Sequence, residues 1–182
     1  MRSISTIKLI AGGLIVLAAS CGEENKGIKT TIDSVIVTSQ LPDTVNHPVL
    51  VTEQPAGTLR LTAQNGKALG PEIKYMPEWR AFGWFTAKDS VEWEVDVPAA
   101  GDYKVQLEWS VSDEDAGKEF ILIADTDKLT GKVDKSGSWE TFKKKEVGNI
   151  NLAQGKQKII FKSNTKFNSG AILDLREIEL KR

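Results

Sequence analysis

The sequence predicts an all-β domain, an antiparallel β-sandwich, carried behind an N-terminal signal and a flexible tether. Three observations predict it. Apolar and polar residues alternate with period two in several segments after Gly57, as in half-buried strands. Turn-rich stretches such as "AQGKQ" and "NTKFNSG" separate these segments. Between 58 and 182 no helical period is sustained between caps.

The chain opens with "MRSISTIKLIAGGLIVLAAS", residues 1–20, in which Arg2 and Lys8 precede an apolar run from Leu9 to Ala19. This is the pattern of an export signal, and the run is shorter than the roughly 20 residues a membrane span needs. It ends in "LAASC", which resembles a bacterial lipobox, and that resemblance makes Cys21 the lipidated first residue of the mature chain. The plainer alternative is a spare thiol after an ordinary signal. Cys21 is the only cysteine, so an intramolecular disulfide is excluded. Two or more acyl chains anchor stably where one does not, so a diacylglyceryl group such as palmitate-bearing lipid would hold the chain on a membrane. Glu23 and Glu24 resemble the acidic lipoprotein export signal of Bacteroidetes, which implies the outer membrane and its cell-surface face.

Residues 21–57 are polar and threonine-rich, interrupted by Pro42, Pro48 and Pro55, and read as a tether with one weak strand at "DSVIVTSQL". The domain follows over 58–182. "VEWEVDVP" sets Val91, Trp93, Val95 and Val97 on one face and Glu92, Glu94 and Asp96 on the other. After the turn "AAGD", "YKVQLEWSV" points Tyr103, Val105, Leu107, Trp109 and Val111 inward, and the two segments are expected to form a hairpin. "EFILIA" is apolar on both faces and reads as a central buried strand; "NINL", "KQKIIFK" and "SGAILDLREIEL" complete about eight strands, the number and spacing of a single sandwich.

Function classes narrow by chemistry. A formal net charge of -1 supplies no general attraction to nucleic acid. Nucleophilic catalysis needs a nucleophile beside a base, yet the only histidine, His47, lies in the tether and the only cysteine at the lipobox. Paired carboxylates for glycoside hydrolysis are not excluded by number, but Glu92, Glu94, Asp96 and Glu108 fall on outward strand positions. "SDEDAG" and "DTDKLTG" offer oxygens for calcium; the second puts Leu129 where an EF-hand needs a ligand, and both read as hairpin turns.

Aromatic placement is the informative feature. Trp93, Tyr103 and Trp109 occupy core positions, whereas "YMPEWRAFGWF" gathers Tyr75, Trp79, Phe82, Trp84 and Phe85 without a consistent period and cannot bury every ring. An exposed ring suits the C–H face of a pyranose as well as it suits a core. "KSGSWETFKKK" poses the same choice for Trp139: alternation sets it opposite Phe142, so one of the two needs cover outside the main core. The lysines that follow read as a solvated edge that discourages sheet pairing.

"GTLRLTAQNGKALG", "VEWEVDVPAAGDYKVQLEWS", "GKVDKSGSWETF", "VGNINLAQGKQKIIFKS" and "GAILDLREIEL" follow one another in the order of galactose-binding-like jelly rolls, and the domain resembles those related to family 6 and family 35 carbohydrate-binding modules. The resemblance implies a sugar cleft among the loops, with Trp79 or Tyr75 as its early-loop aromatic, Trp139 from the "G-S-W" turn and Asn168 from the loop before the last strand. Asp174 matches the closing acid of that family's structural calcium site, but the usual "A-E" opening pair here reads Ala63–Gln64, so calcium is an expectation with half its motif; no other cofactor is implied. The expected function is a membrane-anchored, non-catalytic binder of polysaccharide or oligosaccharide. The alternative is a structural or interaction module that docks on an envelope protein and has no sugar site.

Overall fold

The computed structural model describes residues 45–182. The signal, Cys21 and the "DSVIVTSQL" segment lie outside the described residues. Eleven strands and no helix make up the described part: β1 (Thr58–Thr62), β2 (Lys67–Leu69), β3 (Lys74–Met76), β4 (Ala81–Gly83), β5 (Ser90–Val97), β6 (Gly101–Ser110), β7 (Glu119–Ile123), β8 (Lys128–Lys132), β9 (Lys143–Leu152), β10 (Gly155–Ser163) and β11 (Asp174–Lys181).

The alternating segments fold as their period dictates. In β5 Val91, Trp93, Val95 and Val97 are buried, and in β6 Tyr103, Val105, Leu107 and Trp109 are buried with Val111 just beyond. Each polar handle in this core finds a carbonyl: Trp93 Nε1 donates to Thr62 O at 2.9 Å, Trp109 Nε1 to Asp134 O at 2.9 Å, and Tyr103 Oη to Ala99 O at 2.7 Å. Unmade, each such bond would cost roughly 1–3 kcal/mol of desolvation.

The strands form two antiparallel sheets. One runs β3-β4-β11-β6-β9, with β1 also paired to β11; the other runs β2-β5-β10-β7-β8. This corrects the expected β5–β6 hairpin. β5 pairs with β2 and β10, whereas β6 pairs with β11 and β9, so "AAGD" carries the chain from one sheet to the other. An arch and a hairpin need the same alternation, because both layers turn one face to a shared core; the turn alone does not choose. Likewise "SDEDAG" joins strands of opposite sheets, while "DTDKLTG" is a true hairpin turn, closing β7 onto β8. β7 is internal to its sheet as expected, but only alternate residues are buried, and Ile121 and Ile123 are half-exposed.

The lysines after Phe142 lie on β9, the edge of its sheet, where Lys144 bonds Glu179 at 2.8 Å and Lys145 bonds Asp134 at 2.6 Å. The sandwich also holds residues assigned to the tether. Asn46 Nδ2 donates to the carbonyls of Ala63, Gln64 and Gly66, and buried Val51 bridges Val95 in parallel. Ordered cover therefore begins well before residue 58.

Candidate functional site: an aromatic cleft

The end of β4, the start of β11 and the β8–β9 loop converge on a cleft of about 270 Å³ lined by Met76, Trp84, Trp139, Ala171 and Asp174. A wider cleft of about 530 Å³ adjoins it, sharing Trp84 and Ala171 and adding Glu72, Lys88, Phe167 and Asn168.

Trp84 is the ridge between the two. Its neighbours Phe82 and Phe85 are fully buried, yet Trp84 is 57% exposed. The chain achieves this by taking Trp84 to φ 52°. A bulky residue rarely adopts this left-handed conformation, which costs on the order of 1–3 kcal/mol and persists only where surrounding contacts enforce it. Those contacts are present. Buried Asp89 accepts from Thr86 N and Thr86 Oγ1, both at 2.7 Å, and from Glu72 N at 3.3 Å. Ile172 N donates to Phe85 O at 2.7 Å, tying the loop before β11 to the Trp84 turn. The preceding Gly83 is needed for close approach: a Cβ there would lie 3.0 Å from Asp174 Oδ1 and 2.5 Å from Met76 Cε.

Trp139 enters from the other side on a tight turn rather than a strand. Ser110 Oγ donates to Trp139 O at 2.7 Å, and Ser136 Oγ both accepts from Val111 N and donates to Val111 O. The ring is half-buried, packing partly on the core while lining the cleft.

Two expected aromatics lie elsewhere. Trp79 stacks on Phe142 with centroids 6.3 Å apart, and the Arg176 guanidinium lies 3.4 Å from the Phe142 centroid. Arg176 also donates to Trp79 O and to Glu108, so this assembly closes on itself. Tyr75 is half-buried and meets Phe82 edge-on at 6.0 Å. Neither lines the cleft that holds Trp139; Trp84 does. The one sequence signal for it was the crowding of five rings in eleven residues. Asn168 lies in the wider cleft, on a loop tied down by Lys118, whose Nζ donates to Asp115 Oδ1 at 2.5 Å and to Ala171 O at 2.7 Å and lies 4.7 Å from the Phe167 centroid.

Asp174 also departs from expectation. It lines the aromatic cleft, where burial first and the Glu140 carboxylate second push its carboxyl up to about 7. Among the described residues no group of three or more His, Cys, Asp or Glu gathers to hold a metal ion. Calcium takes about six to eight oxygen ligands, and Asp174 is the one carboxylate in the cleft lining, so the donor set there does not fit a calcium site.

A β-sandwich with an aromatic cleft among its loops defines a class of small-ligand binding module. The family model for "Carbohydrate binding module (family 6)" matches residues 60–182, and the chain belongs to that family. Carbohydrate binding by a non-catalytic module is the function this membership supports. No curated protein matches the chain. Solved structures share the fold. A family 35 carbohydrate-binding module from Clostridium thermocellum matches with TM-score 0.56 and 12% identity over 69% of this chain and 98% of its own. The C-terminal family 6 module of LamC, a marine laminarinase from Zobellia galactanivorans, gives TM-score 0.56 and 13% identity over 69% and 100%. An exo-β-1,3-galactanase from Phanerochaete chrysosporium, crystallised with β-1,3-galactotriose, gives TM-score 0.55 and 20% identity; the match covers 69% of this chain but only 29% of the galactanase.

Proposed function

We propose that this protein is a non-catalytic glycan-binding lipoprotein whose site is the cleft between Trp84 and Trp139. The observation that carries this reading is Trp84: an exposed tryptophan kept in a strained conformation by buried contacts, lining one cleft with a second tryptophan from a distant loop. Two ring faces supply C–H contact to a pyranose, and Asp174, Asn168, Glu72 and Lys88 supply the hydrogen bonds that orient it. Family membership supports the carbohydrate part of the reading. A single shallow site binds weakly, and many copies on a membrane would add avidity.

The anchor rests on the "LAASC" motif, with Cys21 lipidated and the chain held at the outer membrane, facing the cell surface. Cys21→Ser should abolish incorporation of labelled palmitate and release the protein from the membrane fraction.

The binding reading is tested by presenting the folded domain, residues 45–182, to an array of plant, algal and host glycans. Retention that is lost in Trp84→Ala supports it. Flat signals across the array would sink it and favour the docking-module alternative.

A further inference from the structure

Resting on that assignment of the site, we infer that the cleft selects uncharged sugar rings and rejects those carrying a carboxylate or sulfate beside Trp84 and Trp139. The lining of the narrower cleft contains one ionisable group, Asp174, and no Lys, Arg or His. The charged neighbour that acts on Asp174 is another carboxylate, Glu140.

The nearby cations lie outside that lining. Lys74 Nζ lies 5.6 Å from the Trp84 ring centroid and does not line the cleft. Lys143 lies 6.0 Å from the Trp109 centroid and donates to Lys135 O. Arg176 is held by Glu108 and the Trp79 carbonyl.

A ring seated between the tryptophans removes water from Asp174. Above about pH 7, where Asp174 is ionised, a sugar hydroxyl replaces that water, because it donates to the carboxylate and forms a charge-assisted bond. A ligand carboxylate or sulfate cannot donate, and it adds a like charge in a partly desolvated site where Coulomb repulsion is poorly screened. Selectivity is thus built as repulsion against the wrong ligand as well as attraction for the right one. The wider cleft is mixed, with Glu72 beside Lys88, and carries no such bias.

The test measures binding to each neutral polysaccharide retained on the array, with laminarin, β-1,3-galactan and dextran included, beside its chemically sulfated derivative. Titrations run at about pH 8.5, where Asp174 is ionised, and at about 0.15 M salt, where lysines more than about 8 Å away are largely screened. Trp84→Ala serves as the control for contacts outside the cleft. The neutral form should bind at least about tenfold more tightly, and Asp174→Asn, which keeps the shape and removes the charge, should narrow the gap at least about threefold. Sulfated forms binding as tightly as neutral ones through Trp84, or a gap unchanged in Asp174→Asn, would overturn the inference while leaving the site assignment intact. An array with no retained glycan would remove both.

Discussion

Trp79 and Trp84 stand five residues apart in one segment and end in opposite situations. Trp79 is 37% exposed, but its ring stacks on Phe142, which Arg176 covers in turn. Trp84 is 57% exposed, strained at φ 52°, and approached by one lysine. The Trp79 assembly spends its aromatic faces on its own sheet surface, so exposure there reflects the rim of a finished contact. At Trp84 local strain is maintained and the ring still faces a cleft. Strain held at a solvent-exposed ring is the observation on which the reading of Trp84 as a binding platform rests.

The sharpest way to break this comparison is to delete the rings in turn and titrate a retained glycan. Trp84→Ala and Trp139→Ala should each weaken binding by about tenfold to a hundredfold, the effect of losing a stacking face worth roughly 1.5–3 kcal/mol, whereas Trp79→Ala should change it less than twofold. Thermal denaturation then divides the pair: Trp84→Ala should leave Tm nearly unchanged, while Trp139→Ala, whose ring also packs on the core, should lower it. Equal binding losses at Trp79 and Trp84 would erase the distinction.

Asp174 tests whether the cleft is as desolvated as its lining implies. The folded state holds the proton up to about 7, above the ordinary carboxyl value of 3.8. Across that window the folded chain binds more protons than the unfolded one, so this group's contribution to stability is present at low pH and is lost as pH rises from about 4 to about 7. Allowing for its partial exposure, the slope is on the order of 1 kcal/mol per pH unit. Urea titrations across this range should show the fall in the native chain and a flatter profile in Asp174→Asn.

On the other side of the comparison, Phe142→Ala should lower stability by about 1 kcal/mol through loss of the Trp79 stack and the Arg176 contact, with glycan affinity unchanged. Chemical denaturation paired with a binding titration checks both halves. The smallest expected effect is at Asn168. It lines only the wider cleft, so Asn168→Ala should weaken a longer oligosaccharide about threefold, as the loss of one hydrogen bond of roughly 0.5–1.5 kcal/mol predicts, and should leave a monosaccharide unaffected in calorimetry.

The sequence by itself determined the inward faces of β5 and β6. Val91 to Val97 and Tyr103 to Val111 alternate with period two, and a pleated strand obliges alternate side chains to share a face whatever the strand pairs with. It also showed that the rings of "YMPEWRAFGWF" exceed what one core can take, whereas the alternation that set Trp139 opposite Phe142 does not apply, because Trp139 sits on a turn. Only the tertiary structure decided which strands pair, because both layers of a sandwich bury the same alternation and a short turn serves arch and hairpin alike. It also decided which ring is left free. Trp79 found Phe142, and Trp84 found no such partner, because β4, β9 and β11 bring together residues from 79 to 176. Asp174 changed meaning for the same reason: a closing acid in a sequence motif, it became the floor of an aromatic cleft once Gly83 let it approach and the loops removed its water.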